Sequence, residues 1–88
     1  MAYRLEMASH VRRYIRRLEP SRQRQIATRL RELAVDPYDR AISKGLHGEV
    51  GGWRSSDLGN LRVLYDVDDV VRVIDIIDIG PRGDIYKR

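Results

Sequence analysis

The chain contains no cysteine, only two histidines, and no apolar run long enough to cross a membrane. Without cysteine there are no disulfides and no thiolate metal sites, which fits a reducing compartment such as the cytoplasm. His10 and His47 alone leave too few ligands for a zinc site. A transmembrane helix needs about 20 apolar residues, and Met1 to Arg13 lacks the apolar stretch of a signal peptide. The expectation is a soluble cytoplasmic protein with no membrane partner. Its 88 residues can bury one compact core, so a single domain over residues 1–88 is expected.

Lysine is also scarce: Lys44 and Lys87 are the only two among 17 basic residues, and the rest are arginine. The net charge of +4 points to an anionic partner, and the charge is unevenly placed. Residues 1–44 carry 11 basic and 5 acidic side chains, against 6 basic and 8 acidic in residues 45–88. The first half is the candidate for docking on a polyanion.

Tyr3 to Met7 alternates apolar and charged residues as a half-buried strand does. From Ser9, a plausible cap, Val11, Tyr14, Ile15 and Leu18 recur at helical spacing. Glu19-Pro20-Ser21 breaks that helix, and proline is tolerated in the first turn of the next. The second helix keeps Ile26, Ala27, Leu30, Leu33 and Ala34 on one side, and Pro37 closes it. Pro37 to Gly52 has too many glycines for a helix and reads as a long irregular connection. Trp53 to Asp57 and Leu61 to Val67 are strands, Asp68-Asp69 reads as a hairpin turn, and Val70 to Ile79 reads as a central strand buried on both faces. The order β-α-α-β-β-β describes an α+β domain, with two N-terminal helices packed on one face of a small, mainly antiparallel sheet. Arg54, Ser56, Arg62, Arg72, Asp75 and Asp78 are candidates for the uncovered face.

Several of these residues have a plain reading and a functional one. Arg12, Arg13, Arg16, Arg17, Arg22, Arg24, Arg29 and Arg31 are either a solvated helix surface or a docking surface for RNA backbone. His47 has no sequence partner for acid–base work and reads as an ordinary loop histidine. Asp66, Asp68, Asp69, Asp75 and Asp78 lack the surroundings of a magnesium-dependent nuclease, so neither metal nor cofactor is expected. Trp53 reads as a core or rim residue, Tyr65 as a core residue, and Arg72 as a surface residue.

The stretches "RRLEPSRQRQI", "LRELAVDP", "GLHGEVGGWR", "GNLRVLYDVDD" and "DIGPRGDIY", with the strand opened by Tyr3, together resemble the RelE/ParE toxin family over nearly the whole chain. The resemblance implies a RelE-like fold and a toxin neutralised by a cognate antitoxin. In the RelE branch it implies an endoribonuclease that cuts messenger RNA in the ribosomal A site, with the ribosome and mRNA as partners. Carried over by position, the branch's strand arginine falls on Arg62, the arginine after the last strand's glycine on Arg82, and the C-terminal tyrosine on Tyr86. Arg54, following Trp53, matches a basic residue at the start of a strand. The chain departs from the pattern at Ser56, where some members have a second basic residue, and this leaves the proton acceptor open.

That chemistry suits these side chains. Metal-free cleavage uses the ribose 2′-hydroxyl as nucleophile and needs charge stabilisation at the phosphate, which guanidinium forks provide. Tyr86 would stack on a base and take or relay a proton. The ribosome would supply orientation that so sparse a site lacks, with Arg12, Arg13, Arg16, Arg17, Arg24 and Arg31 docking on its RNA. The alternatives are a ParE-like inhibitor of DNA gyrase without nuclease activity and a non-catalytic module that binds RNA or protein.

Overall fold

A computed structural model describes residues 2–46 and 52–83. Among these residues the elements run β1 (Arg4–Met7), α1 (Ser9–Arg16), α2 (Pro20–Val35), β2 (Lys44–Gly45), β3 (Arg54–Leu58), β4 (Leu61–Asp68) and β5 (Val73–Pro81). One sheet takes the order β1-β5-β4-β3-β2. β1 pairs with β5 in parallel, and the other neighbours are antiparallel.

The α+β order expected from the sequence is the one found, with the two-residue β2 added inside the connection after Pro37. In α2, Ile26, Leu30 and Leu33 are buried at spacings of four and three, a single stripe facing the sheet. Val11 does the same from α1, with Tyr14, Ile15 and Leu18 packed around it. They meet Leu61, Val63 and Tyr65 of β4 and Ile74, Ile76 and Ile79 of β5. Truncating one of these, for example Leu33→Ala at 0% exposure, costs about 2–5 kcal/mol by lost burial and cavity formation.

Local chemistry sets the boundaries. Pro20 occupies the first turn of α2, where its missing N–H costs nothing. Pro37 forces the preceding Asp36 into extended backbone (φ −148°, ψ 96°), which stops the helix. Ser9 is not the cap of α1: Ala8 holds that position without a side-chain hydrogen bond, because the chain enters the helix directly from β1. Gly59-Asn60 joins β3 to β4 in a two-residue turn with Gly59 at φ 61°, which favours glycine.

Two expectations for the last hairpin need correction. The turn is longer than Asp68-Asp69, since Asp68 pairs with Val73 and residues 69–72 form the loop. Asp68 Oδ1 accepts hydrogen bonds from the backbone N–H groups of Val70 (3.0 Å) and Val71 (3.3 Å), and Arg72 closes the loop at φ 60°. Val70 and Val71 are therefore exposed loop residues and not the start of the strand. Nor is β5 buried on both faces throughout, because Asp75 is exposed. Leu64 pairs with Asp78 but Tyr65 with Ile76, so Ile77 is the extra residue of a bulge. The bulge shifts the alternation, which is why Ile76 and Ile79, three apart, share the core.

Candidate active site

Cross-strand partners share a sheet face, and successive residues alternate between faces. The registers Asp57↔Arg62, Ser56↔Val63, Ser55↔Leu64 and Arg54↔Tyr65 therefore divide β3 and β4 unambiguously. Val63 and Tyr65 belong to the core beneath the helices, so Ser56 and Arg54 lie on that side. Arg62, Leu64, Asp57 and Ser55 lie on the other. β2 adds Lys44, paired with Ser55, to this second face, and β5 places Gly80 opposite Arg62.

On the second face Arg62 and Arg82 converge on Asp57. Arg62 donates from Nε to Oδ1 at 2.6 Å and from Nη2 to Oδ2 at 3.0 Å, a two-pronged, charge-assisted pair. Arg82 Nη2 stands 3.4 Å from the same Oδ2. Its backbone N–H donates to the Asn60 carbonyl at 2.9 Å, which fixes the end of β5 against the β3–β4 turn. The Arg62 side chain is 9% exposed and that of Arg82 is 52% exposed. One arginine is thus a buried anchor and the other reaches into solvent. The hydrogen bonds from Arg62 hold the Asp57 carboxyl below its ordinary range, with the charges of Arg62, Arg82 and Lys44 adding to the effect and partial burial opposing it. A shallow depression of about 530 Å³ opens beside the pair, lined by Asn60, Arg62, Pro81, Arg82 and Gly83. A second pocket, of about 180 Å³, is lined in part by Lys44, Ser55 and Asp57.

Arg54 does not join this cluster. Its Nε donates to Ser43 Oγ at 2.8 Å and its guanidinium lies 5.0 Å from the centre of the Tyr38 ring, on the helix side of the sheet. Strand alternation is the reason. Ser56 is likewise turned away and accepts a hydrogen bond from Arg29 Nη1 at 2.8 Å. The serine that faces the arginine cluster is Ser55, whose Oγ is buried without a hydrogen-bond partner among the described residues. Tyr86 and His47 lie outside the described residues. Lys44 and Asp57 were not singled out from the sequence. The register that brings them to Arg62 is a long-range fact, and Asp57, three positions from Arg54, falls on the opposite face of the strand.

Of the helix arginines, Arg12, Arg13, Arg16, Arg17, Arg24 and Arg31 are exposed. Arg22 and Arg29 are engaged within the fold. Arg22 Nη2 donates to Asn60 Oδ1 at 2.7 Å, and Arg29 Nη1 also reaches the Asp57 carbonyl at 2.6 Å. At the opposite end of the sheet Asp69 accepts hydrogen bonds from Tyr3 and Tyr38, each at 2.5 Å, while Arg72 stacks on Tyr3 with 4.3 Å to the ring centre. The phenol bonds, that of Tyr3 first, keep the Asp69 carboxyl below its ordinary range. Burial, then the bond to Asp69, pushes the Tyr38 hydroxyl up to about 12. His10 Nε2, at the start of α1, lies 3.5 Å from Asp78 Oδ1.

Against known proteins, the model of the ParE toxin of type II toxin–antitoxin systems matches residues 7–86. The chain belongs to this RelE/ParE toxin family. Toxin RelG of Mycobacterium tuberculosis is 30% identical over 91 residues, spanning 100% of both chains. The toxin fold recurs in the archaeal RelE–RelB complex from Pyrococcus horikoshii OT3, with a TM-score of 0.81 and 26% identity over 96% of this chain and 99% of that one. It recurs again in the RelBE2 toxin–antitoxin complex of M. tuberculosis, with a TM-score of 0.81 and 24% identity over 93% of this chain and 100% of that one. The isolated E. coli RelE toxin gives a TM-score of 0.77 at 24% identity, over 98% and 93% of the two chains. The toxin therefore carries two helices on an open, mostly antiparallel sheet, as those structures do, and no helix among its described residues is long and apolar enough to cross a membrane.

Proposed function

We propose that this toxin is a ribosome-dependent endoribonuclease that cuts messenger RNA through attack of a ribose 2′-hydroxyl on the adjacent phosphate, and so inhibits translation. The observation that carries the reading is the convergence of Arg62 and Arg82 on the two oxygens of one carboxylate. Guanidinium groups that grip a carboxylate in this way also match the oxygens of a phosphate. In the proposed site Arg62 is the fixed donor, and the more exposed Arg82 closes on the charge that develops at phosphorus. Tyr86 stacks on a base and takes part in proton transfer, a role that rests on its match to the family's C-terminal tyrosine. Arg54, turned to the other face, holds the connection after Pro37 through Ser43 and takes no share of the phosphate.

The exposed arginines Arg12, Arg13, Arg16, Arg17, Arg24 and Arg31 dock on ribosomal RNA, and the ribosome holds the messenger in attack geometry. A cognate antitoxin partners the toxin, in line with the RelB complexes of its relatives. The site of action is the cytoplasm, where ribosomes are found.

The test is to map new messenger 5′ ends in a cell-free translation system, with and without ribosomes, for the wild-type chain and Arg82→Ala. Ribosome-dependent ends that fall at least 100-fold in the variant are expected. The match to the ParE family model favours a second reading, inhibition of DNA gyrase. The absence of any new ends, together with loss of gyrase supercoiling activity, would establish that alternative.

A further inference from the structure

Cleavage by the 2′-hydroxyl requires a proton acceptor, and arginines are donors only. The carboxylate that both Arg62 and Arg82 touch is Asp57. We propose that Asp57 is the proton acceptor of the cleavage step, an assignment that rests on the nuclease reading above.

Three features support it. The first is accessibility: the Asp57 side chain is 31% exposed against 9% for Arg62, and it lines a pocket with Lys44 and Ser55.

The second is unused capacity. A carboxylate offers roughly four acceptor positions, two on each oxygen. Arg62 takes one on Oδ1 and one on Oδ2, and Arg82 approaches Oδ2, which leaves a position on Oδ1.

The third is coupling to substrate. A phosphodiester that draws the more exposed Arg82 onto its own oxygens takes from Asp57 one of the positive charges that, with the Arg62 hydrogen bonds, hold its carboxyl low. The carboxylate becomes a stronger base at the moment the scissile phosphate is seated. The Arg62 hydrogen bonds, with a smaller contribution from the charge of Lys44 on the same face, favour its ionised form.

In the step itself the 2′-hydroxyl proton passes to Asp57 Oδ1 and the 2′-oxygen forms a bond to phosphorus. The bond from phosphorus to the 5′-oxygen breaks, its electron pair leaving with that oxygen, which takes a proton from a water molecule. The hydroxide so formed recovers the proton held by Asp57. The products are a 2′,3′-cyclic phosphate and a 5′-hydroxyl end.

The experiment is single-turnover cleavage of a defined messenger on purified ribosomes by the wild-type chain, Asp57→Asn and Asp57→Ala, with ribosome binding and circular dichroism measured for each. The expected result is a loss of about 100-fold or more in the Asp57→Asn rate, without weaker ribosome binding or loss of fold. Added carboxylates should restore cutting by Asp57→Ala, and acetate, the stronger base, should restore more than formate. Cutting by Asp57→Asn at the wild-type rate or faster overturns the assignment and leaves the nuclease reading standing. So does a slow Asp57→Ala that acetate and formate restore equally or not at all, since a positioning role would give that. No cutting by the wild-type chain overturns the nuclease reading and this assignment with it.

Discussion

Tyr65→Phe removes one oxygen from the centre of the molecule and tests how the connection after Pro37 is held. Tyr65 is 0% exposed, and its hydroxyl donates to the Pro37 carbonyl at 2.6 Å. The same hydroxyl is hydrogen-bonded to Ser43, which in turn accepts from Arg54 Nε. The ring of phenylalanine fills the same space, so the transfer of apolar surface is nearly unchanged. What is lost is two hydrogen bonds, and the buried Pro37 carbonyl is left without its donor. At about 1 kcal/mol net for each bond, with the stranded carbonyl adding to the cost, the variant should lose about 2–3 kcal/mol. For a domain of this size that lowers Tm by roughly 8–24 °C. The assay is equilibrium unfolding in urea, where the midpoint should fall with the slope unchanged. Hydrogen exchange at the Leu46 amide, which donates to the Trp53 carbonyl at 3.0 Å, should quicken more than the global loss requires. A variant within about 0.5 kcal/mol of the wild type, a typical surface substitution, would refute the claim that this bond network anchors residues 37–46.

Three further outcomes are expected. The Asp57 carboxyl is held below 3.8 in the folded state, so its contribution to stability is complete above that pH and is lost as pH falls through the folded value. Acid unfolding should therefore be less steep for Asp57→Asn than for the wild type. The Tyr38 hydroxyl is raised to about 12 from 10.0, so its contribution is present below pH 10 and disappears as pH rises towards 12. In an ultraviolet titration, Asp69→Asn should lower that midpoint without returning it fully to 10.0, because burial is the larger cause. Finally, replacing Arg13 and Arg17 by alanine should reduce the salt dependence of ribosome binding by about one unit of log–log slope per lost phosphate contact, and leave Tm within a few degrees.

The helices were legible because their signals are local. The apolar spacing Ile26, Leu30, Leu33 and the placing of Pro20 and Pro37 depend only on helical geometry and on the chemistry of proline. β4 was legible through strict alternation. The final hairpin was less so, because the bulge at Ile77 breaks the period and makes a one-sided strand look like one buried on both faces. The Asp68 side chain moved the turn by bonding to Val70 and Val71, a choice that competes with continued pairing. β2 is too short for any periodicity to show.

At the proposed site, Arg62 and Arg82 were found through their positions in family motifs, and the fold joins them through Asp57. Which other residues keep them company was beyond local pattern. Arg54 and Ser56 are separated from Arg62 by the face of a strand, and a one-residue change of register would have reversed that arrangement.

Sequence alone thus determined the two helices, the order of the longer strands, the basic surface of the helices and the membership of a toxin family. Each follows from near-neighbour chemistry or from motifs read in line. Only the tertiary structure decided that Asp57 sits between two arginines, that Lys44 shares their face and that Arg54 does not. These are consequences of cross-strand register, which is set by the packing of the whole core and leaves no mark on neighbouring residues.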